Sequence, residues 1–385
     1  MDELKRHKLI FKIVQPIAKL IFCLRFNYKY DDLRKIPEPY LLLANHNFNL
    51  DPCFVGIATK HQIYFVASET VARAGFFSRL LMWAFKPILH KKGRAGISST
   101  KEVLKTVKSG SSVCIFAEGN RSYNGLTGPI PEATGKLAKR TGASLVTFRI
   151  EGGYLSHPRW AVTKRRGRMY GRLVRVYTPE ELKSMTDDQV NEAIRSDLFE
   201  DAYATQEKQM IKYRGRRLAY GLEAALFECP ACRKFNTITS TPKRIACTCG
   251  FSAEYDVYGY LNGSDGIRRT VTEWDAMQRA DLKERFADYA ASGEPVFSDE
   301  VVSTFINADH SPGKKTEGTL TAYTDRVEFA GTVYPLDEIK GMALFVRNTI
   351  IAHIGEDMIQ YNIKGAENFC ALKYLYLYNL AKGES

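Results

Sequence analysis

The apolar run Leu41–Ala44 stops at an Asn-His pair, and an Asp-Pro follows, in the stretch LLLANHNFNLDP (41–52). A carboxylate that accepts from one imidazole nitrogen fixes the tautomer and leaves the other nitrogen able to take a proton. His46 and Asp51 form such a base if the chain turns sharply after the apolar strand. Asp51-Pro52 also suits a helix start, with Asp as N-cap and Pro at the first helical position, so spacing alone leaves both readings open. A second stretch, FAEGNRS (116–122), follows another β-rich run. Gly119 there lets backbone amides approach a ligand closely. Arg121 offers a planar fork for phosphate or carboxylate. Glu118 can hold that arginine or meet a substrate hydroxyl, or the group can be a salt-bridged turn. A third stretch, ILHKKGRAG (88–96), sets Lys91, Lys92 and Arg94 beyond an apolar run as phosphate contacts or as a solvated cluster.

The eight cysteines divide into four scattered ones, Cys23, Cys53, Cys114 and Cys370, and a cluster formed by CPAC (229–232) and CTCG (247–250). Four thiolates in two close pairs suit tetrahedral zinc in a ribbon, as a structural site. The pair Cys247 and Cys249 has one intervening residue where two are usual. Cys53 follows Asp51-Pro52 and reads as helix packing. This cysteine usage fits a reducing compartment better than a secreted disulfide framework.

The elements that must position these groups follow from periodicity. Short β-rich runs at 40–44, 63–67, 113–117 and 144–150 alternate with helical patterns at 99–110 and 131–142, which predicts an α/β sandwich, a mixed sheet flanked by helices. RLVRVY (172–177) reads as a further strand. TDDQ (186–189) is a capping box opening a polar helix that reaches about residue 212. From about residue 301, seven alternating segments and a final helix over AENFCALKYLYLYNLAKG (366–383) predict a mainly β domain with one capping helix. The expected domains are an interfacial N-terminal helix region (1–35), a catalytic α/β domain (36–215), a zinc ribbon (216–265) and the β domain (266–385).

The chain has 385 residues, is 45% hydrophobic and 25% charged, and carries a net charge of +12, which calls for an anionic partner. In KLIFKIVQPIAKLIFCLRF (8–26), Lys12, Pro16, Lys19 and Arg25 interrupt the apolar run. It falls short of the roughly 18–20 apolar residues of a membrane span, and no signal-peptide cleavage pattern is evident. Lys8, Lys12, Gln15 and Lys19 make one polar stripe, the pattern of a helix lying in a membrane interface or of a first core helix with a solvated stripe. Residues 159–175 hold seven Lys/Arg and no acid, which adds to a basic surface.

Asn-His-x4-Asp-Pro after an apolar strand, with Phe-x-Glu-Gly-x-Arg-Ser about seventy residues later, resembles the glycerolipid acyltransferases, in particular the 1-acylglycerol-3-phosphate acyltransferase family. The likeness covers roughly residues 40–152. It implies His46 as general base, Asp51 as its orienting group, and acceptor phosphate bound by Glu118, Gly119, Arg121 and Ser122, with Lys91 where the family usually offers an arginine. Thr147 stands where the family has a proline. The resemblance implies acyl transfer from an acyl-CoA or acyl carrier protein thioester to a lysophospholipid or glycerol phosphate, and with the basic N-terminal segment it places the protein at the cytoplasmic side of a membrane. The C-terminal strand pattern resembles a pleckstrin-homology or GRAM-type barrel. Two other classes compete: a nucleic-acid-binding zinc-ribbon protein, against which no aromatic-rich RNA signature is found, and a lipid-binding scaffold without activity.

Overall fold

A computed structural model describes residues 3–68, 76–90, 97–307, 311–363 and 369–383. Lys91, Lys92 and Arg94 lie outside the described residues. The chain divides into two units, one of Met1–Arg159 with Lys164–Arg214, the other of Trp160–Thr163 with Gly215–Ser385.

The first unit opens with helix α1 (Glu3–Phe26) and contains seven strands: β1 (Tyr28–Tyr30), β2 (Tyr40–Ala44), β3 (Tyr64–Ser68), β4 (Ile88–His90), β5 (Val113–Phe116), β6 (Ser144–Glu151) and β7 (Met169–Tyr177). Between and after them run α2 (Asp51–Gly56), α3 (Phe76–Phe85), α4 (Ile97–Lys108), α5 (Ala133–Thr141), α6 (Gly153–Ser156), α7 (Pro179–Ser184), α8 (Asp187–Leu198) and α9 (Ala202–Gln209). The strands form one sheet in the order β1-β7-β6-β2-β5-β3-β4. β2 lies parallel to both β5 and β6, and β7 runs antiparallel to β6.

Alternation along β2 sorts its side chains onto two faces. Leu41 and Leu43 pack with Val103, Val107, Ala138, Val190 and Ile194 of α4, α5 and α8. Tyr40, Leu42 and Ala44 pack with Phe54 of α2 and Phe22 and Phe26 of α1. Because all five residues of β2 are buried, the strand reads as a continuous apolar run, as strands covered on both faces do. The result is a helix–sheet–helix sandwich with a mixed sheet, as the alternating pattern predicts. The TDDQ capping box is complete, Thr186 accepting from the Gln189 amide and Gln189 from the Thr186 amide. The single polar helix expected to reach residue 212 is two helices, α8 and α9. The break falls where Asp201 turns its carboxylate onto the amides of Tyr203 and Ala204 and caps a new start.

The second unit holds a five-stranded antiparallel sheet, β8 (Ile238–Ser240), β9 (Arg244–Cys247), β10 (Ser252–Tyr255), β11 (Leu261–Gly263) and β12 (Arg268–Arg269), then α10 (Val271–Ser292). Seven further strands follow: β13 (Phe297–Ile306), β14 (Pro312–Ala322), β15 (Arg326–Phe329), β16 (Thr332–Pro335), β17 (Ile339–Phe345), β18 (Thr349–Ile354) and β19 (Asp357–Ile363), and α11 (Ala371–Ala381) ends the series. The seven pair antiparallel in the order β16-β15-β14-β13-β19-β18-β17. All seven alternating segments of the sequence form strands, and within the last helical segment Ala371–Ala381 is a helix, while residues 366–368 of that expectation lie outside the described residues. The 22-residue α10 has no counterpart among the expected elements, although Thr270 and Glu273 close a full capping box at its start.

Candidate active site

β2 and β5 are parallel neighbours, so the segments after their C-terminal ends emerge side by side, the place where open α/β sheets form clefts. His46 follows β2 and Glu118 follows β5. The Ala117 amide donates to the Ala44 carbonyl and the Ser122 amide to the His46 carbonyl, which carries the strand pairing on into the loops.

After Ala44 the chain turns back. Leu50, not Asp51, is the N-cap of α2, with Asp51 the first helical residue and Pro52 the second. Asp51 is fully buried. Its Oδ2 accepts from the amides of Asn47 (2.8 Å) and Phe48 (2.9 Å) and faces His46 Nδ1 at 2.8 Å. An acceptor with two backbone donors requires the proton on Nδ1, which leaves Nε2 as the basic nitrogen. Nε2 has no protein partner among the described residues. The His46 ring stacks on Phe116 with centroids 4.6 Å apart, and Phe116 stacks in turn on Phe65. About a fifth of the His46 side chain is exposed, enough for a substrate atom to reach it.

Glu118 faces inward. Its Oε1 accepts from the His46 amide at 2.6 Å and its Oε2 from the Gly128 amide at 2.6 Å. Both carboxyl oxygens are thus engaged by backbone amides, and the group clasps the His46 backbone. Burial pushes the Glu118 carboxyl up to about 8, against the pull of its two amide donors. Gly119 takes φ +65°, a left-handed turn that glycine adopts without strain. The Ser122 hydroxyl accepts from the Gly125 amide at 2.9 Å and so shapes the same loop. Arg121 is half-buried, with no carboxylate ion-paired to it among the described residues. Burial and the neighbouring Arg159 push its guanidinium down to about 10, while Asp51 draws it the other way. Cys53 sits inside α2, and burial pushes its thiol up to about 11, which keeps it protonated and a poor nucleophile.

Three groups absent from the sequence expectations complete the site. Glu200, between α8 and α9, is buried. It accepts from Asn45 Nδ2 (3.1 Å), from Asn47 Nδ2 and from the Gly152 amide (3.1 Å). The two asparagines that flank His46 are thereby tied to the end of β6, where Asn45 also exchanges bonds with the Ile150 backbone. Asn45 stands beside His46 in the chain, so its place at the site is local in sequence; Glu200 is remote and carries no local signal. Thr147, in the proline's place, donates to Asp197 at 2.8 Å and so ties β6 to α8.

The cysteine cluster fits a metal. The Cys229–Cys249 and Cys232–Cys247 sulfur pairs are each 3.7 Å apart, and all four sulfurs lie within 4.8 Å of one another. Zinc–thiolate bonds of about 2.3 Å in a tetrahedron set sulfurs roughly 3.8 Å apart. The shortened Cys247–Cys249 knuckle still closes because Gly250 takes φ +96°. The Cys249 amide and the Thr237 hydroxyl lie 3.5 and 3.1 Å from the Cys247 sulfur, polar neighbours of the sort that support a thiolate. Four sulfurs at these distances fit the ligand set of a structural rather than a catalytic zinc site.

Among known proteins, the chain is 28% identical over 158 residues to a chloroplastic 1-acyl-sn-glycerol-3-phosphate acyltransferase of Brassica napus, an alignment covering 38% of this chain and 43% of that protein. The chain thus spans less than half the length of this curated relative. The crystal structure of the 1-acyl-sn-glycerophosphate acyltransferase PlsC from Thermotoga maritima superposes with a TM-score of 0.45 at 17% identity, covering 54% of this chain and 83% of that one. Residues 27–151, which hold β1 to β6 and the whole stretch from His46 through Arg121, match the Acyltransferase family model.

Proposed function

We propose that this protein transfers an acyl group from a thioester donor, acyl-CoA or acyl carrier protein, to the hydroxyl of a lysophospholipid or glycerol phosphate. 1-Acylglycerol 3-phosphate is the favoured acceptor, giving phosphatidic acid. The observation that carries this reading is the His46–Asp51 pair, its carboxylate fixed by two backbone amides, in a segment that matches an acyltransferase family. In the proposed reaction His46 Nε2 takes the acceptor hydroxyl proton as the oxygen attacks the thioester carbonyl. A C–O bond forms, the C–S bond breaks, and the thiolate leaves with the proton returned from the imidazolium. Arg121 holds the acceptor phosphate and so aligns the hydroxyl with the base. Glu118, Gly119 and Ser122 set the loop that presents Arg121, and Lys91 is assigned a supporting phosphate contact. Zinc at Cys229, Cys232, Cys247 and Cys249 is assigned a structural role. The α1 helix is assigned to a peripheral position on the cytoplasmic face of a membrane. Among the described residues no helix is long and apolar enough to cross one.

The test is acyl transfer by the purified chain, with both donors and a panel of lysolipids. His46→Ala is expected to lower kcat by about 100-fold or more, the usual contribution of a general base, and Asp51→Asn to lower it through the wrong tautomer. Full turnover by His46→Ala would refute the mechanism.

A further inference from the structure

Residue 200 reaches His46 by two separate routes. Glu200 lies in the turn between α8 and α9, outside the matched stretch 27–151. The first route starts at its carboxylate, whose Oε2 accepts from Asn47 Nδ2. The Asn47 amide in turn donates to Asp51 Oδ2, the oxygen that faces His46 Nδ1. Asn45, on the other side of His46, donates to the same Glu200 oxygen at 3.1 Å. The second route starts at the Glu200 backbone. Its amide donates to the Thr127 hydroxyl at 2.8 Å, and its carbonyl accepts from the Thr127 amide at 3.0 Å. Thr127 precedes Gly128, whose amide holds Glu118 Oε2, while Glu118 Oε1 holds the His46 amide. The turn is thereby fixed to the loop that clasps the His46 main chain, and its carboxylate is aimed at the residues flanking the ring. Asn45, Asn47, Asp51 and Glu200 are all buried, so a partner lost among them is not replaced by bulk water.

We propose that Glu200 is a positioning residue for the His46 base, setting the imidazole through Asn47 and Asp51. The catalytic consequence rests on the acyl-transfer reading; the effect on the imidazole is measurable without that reaction. A general base works while its free nitrogen stays within hydrogen-bond reach of the hydroxyl, and a misplacement of about 1 Å costs about 100-fold. Loss of the Glu200 acceptor relaxes Asn47, and through its amide the Asp51 oxygen that selects the ring tautomer. Two tautomers then share the population, and one of them carries its proton on Nε2, where it cannot accept another.

Glu200→Gln keeps the volume and one acceptor oxygen but turns an NH2 group toward donors that need an acceptor. Heteronuclear NMR of the His46 ring nitrogens, in the labelled full chain, reads the tautomer directly. Wild type is expected to hold the Nδ1 proton alone when neutral, and Glu200→Gln to show a mixture. In turnover, Glu200→Gln is expected to lower kcat about 10-fold, with KM for donor and acceptor changed by less than about 2-fold, since a buried carboxylate makes no contact with substrate. Asn47→Ala is expected to do the same. The double variant is expected to lose little more than either alone, because both residues sit on one route. Should Glu200→Gln fail to fold, Asn47→Ala and Glu200→Asp decide by the same two readouts. A single Nδ1-protonated ring in folded Glu200→Gln overturns the positioning role, and so do losses that multiply in the double variant. A tautomer mixture in a chain without acyl transfer keeps the positioning and removes the enzymatic reading. His46-dependent turnover that Glu200→Gln leaves whole does the reverse.

Discussion

His46 is held from three directions: Asp51 at Nδ1, Phe116 against the ring face, and Glu118 on the backbone amide. The first two contacts come from residues near it in the chain or on the neighbouring strand. The asparagines flanking it rely on Glu200, 155 residues from Asn45 in sequence. A buried carboxylate costs several kcal/mol unless donors satisfy it, and bonds to a charged acceptor return about 1.5–3 kcal/mol each. Glu200 has three donors and Glu118 two, yet burial still pushes both carboxyls from 4.5 up to about 8. The folded state therefore binds these protons more tightly than the unfolded chain. This stabilisation is complete below about pH 4.5 and is lost as pH rises to about 8. The expected outcome is a destabilisation by Glu200→Gln, relative to wild type, that is smaller at about pH 8.5 than at about pH 5.5, read from denaturant midpoints. A pH-independent difference would count against the shift. His46 and Asp51 are legible in the sequence because five residues separate them; Glu200 is not, because nothing local marks a carboxyl whose partners lie on distant elements.

At the scale of elements, α1 has two apolar faces. His7, Phe22 and Phe26 turn inward, while Leu9, Ile13, Ile17, Leu20 and Leu24 are about half or more exposed, Leu24 at 66%. Gln15, expected on the outer polar stripe, instead donates to the Thr59 carbonyl at 2.6 Å, and Lys8, Lys12 and Lys19 stay exposed. Trp83 of α3, exposed as well, lies under the Arg6 guanidinium at 5.0 Å. An outward apolar face flanked by lysines supports the interfacial placement, since each large apolar side chain is worth about 1.5–3 kcal/mol on full burial. Ile17→Glu with Leu20→Glu is expected to weaken binding to anionic liposomes by about 10-fold or more, with the melting midpoint nearly unchanged because neither side chain enters the core. Unaltered liposome co-sedimentation would refute the placement. The sequence reveals α1 as a helix but cannot tell its two apolar faces apart; that needs the sheet beneath. The edge strands β1 and β4, three residues each, are too short for any periodicity to register. α10 is legible only at its start, through the Thr270–Glu273 capping box, because the body of the helix lacks a clear apolar stripe.

The second unit is organised around its four cysteines. Arg233, next to Cys232, pairs with the buried Glu228 at 2.8 Å and with Asp281 of α10, and Arg285 donates to the Arg233 carbonyl at 3.0 Å. Asn236 accepts from the fully buried Lys373 of α11, which pairs with Asp299 of β13 at 2.6 Å. The knuckle residues between the two cysteine pairs thus hold charges that the helices and the seven-stranded sheet bury. Breaking the buried Lys373–Asp299 pair would cost about 3–5 kcal/mol, because one charge is left uncompensated, whereas the Arg233 guanidinium is partly solvated and its pairs are worth less. If the four sulfurs hold a metal, its loss would release Arg233 and Asn236 together, and the effect would reach well past the cysteine cluster. Mass spectrometry of the native protein is expected to find about one zinc per chain, the stoichiometry of a four-thiolate site. Cys229→Ser, or stripping by a strong chelator, is expected to lower the melting midpoint by about 10 °C or more, given a structural site worth several kcal/mol and a shift of about 2–4 °C per kcal/mol. The same loss should expose Cys229, Cys232, Cys247 and Cys249 to a thiol reagent that the loaded protein resists, whereas the buried Cys114 and Cys370 react only on global unfolding. A metal-free chain that melts with the native curve and keeps those four thiols shielded would mean that packing alone closes the cluster.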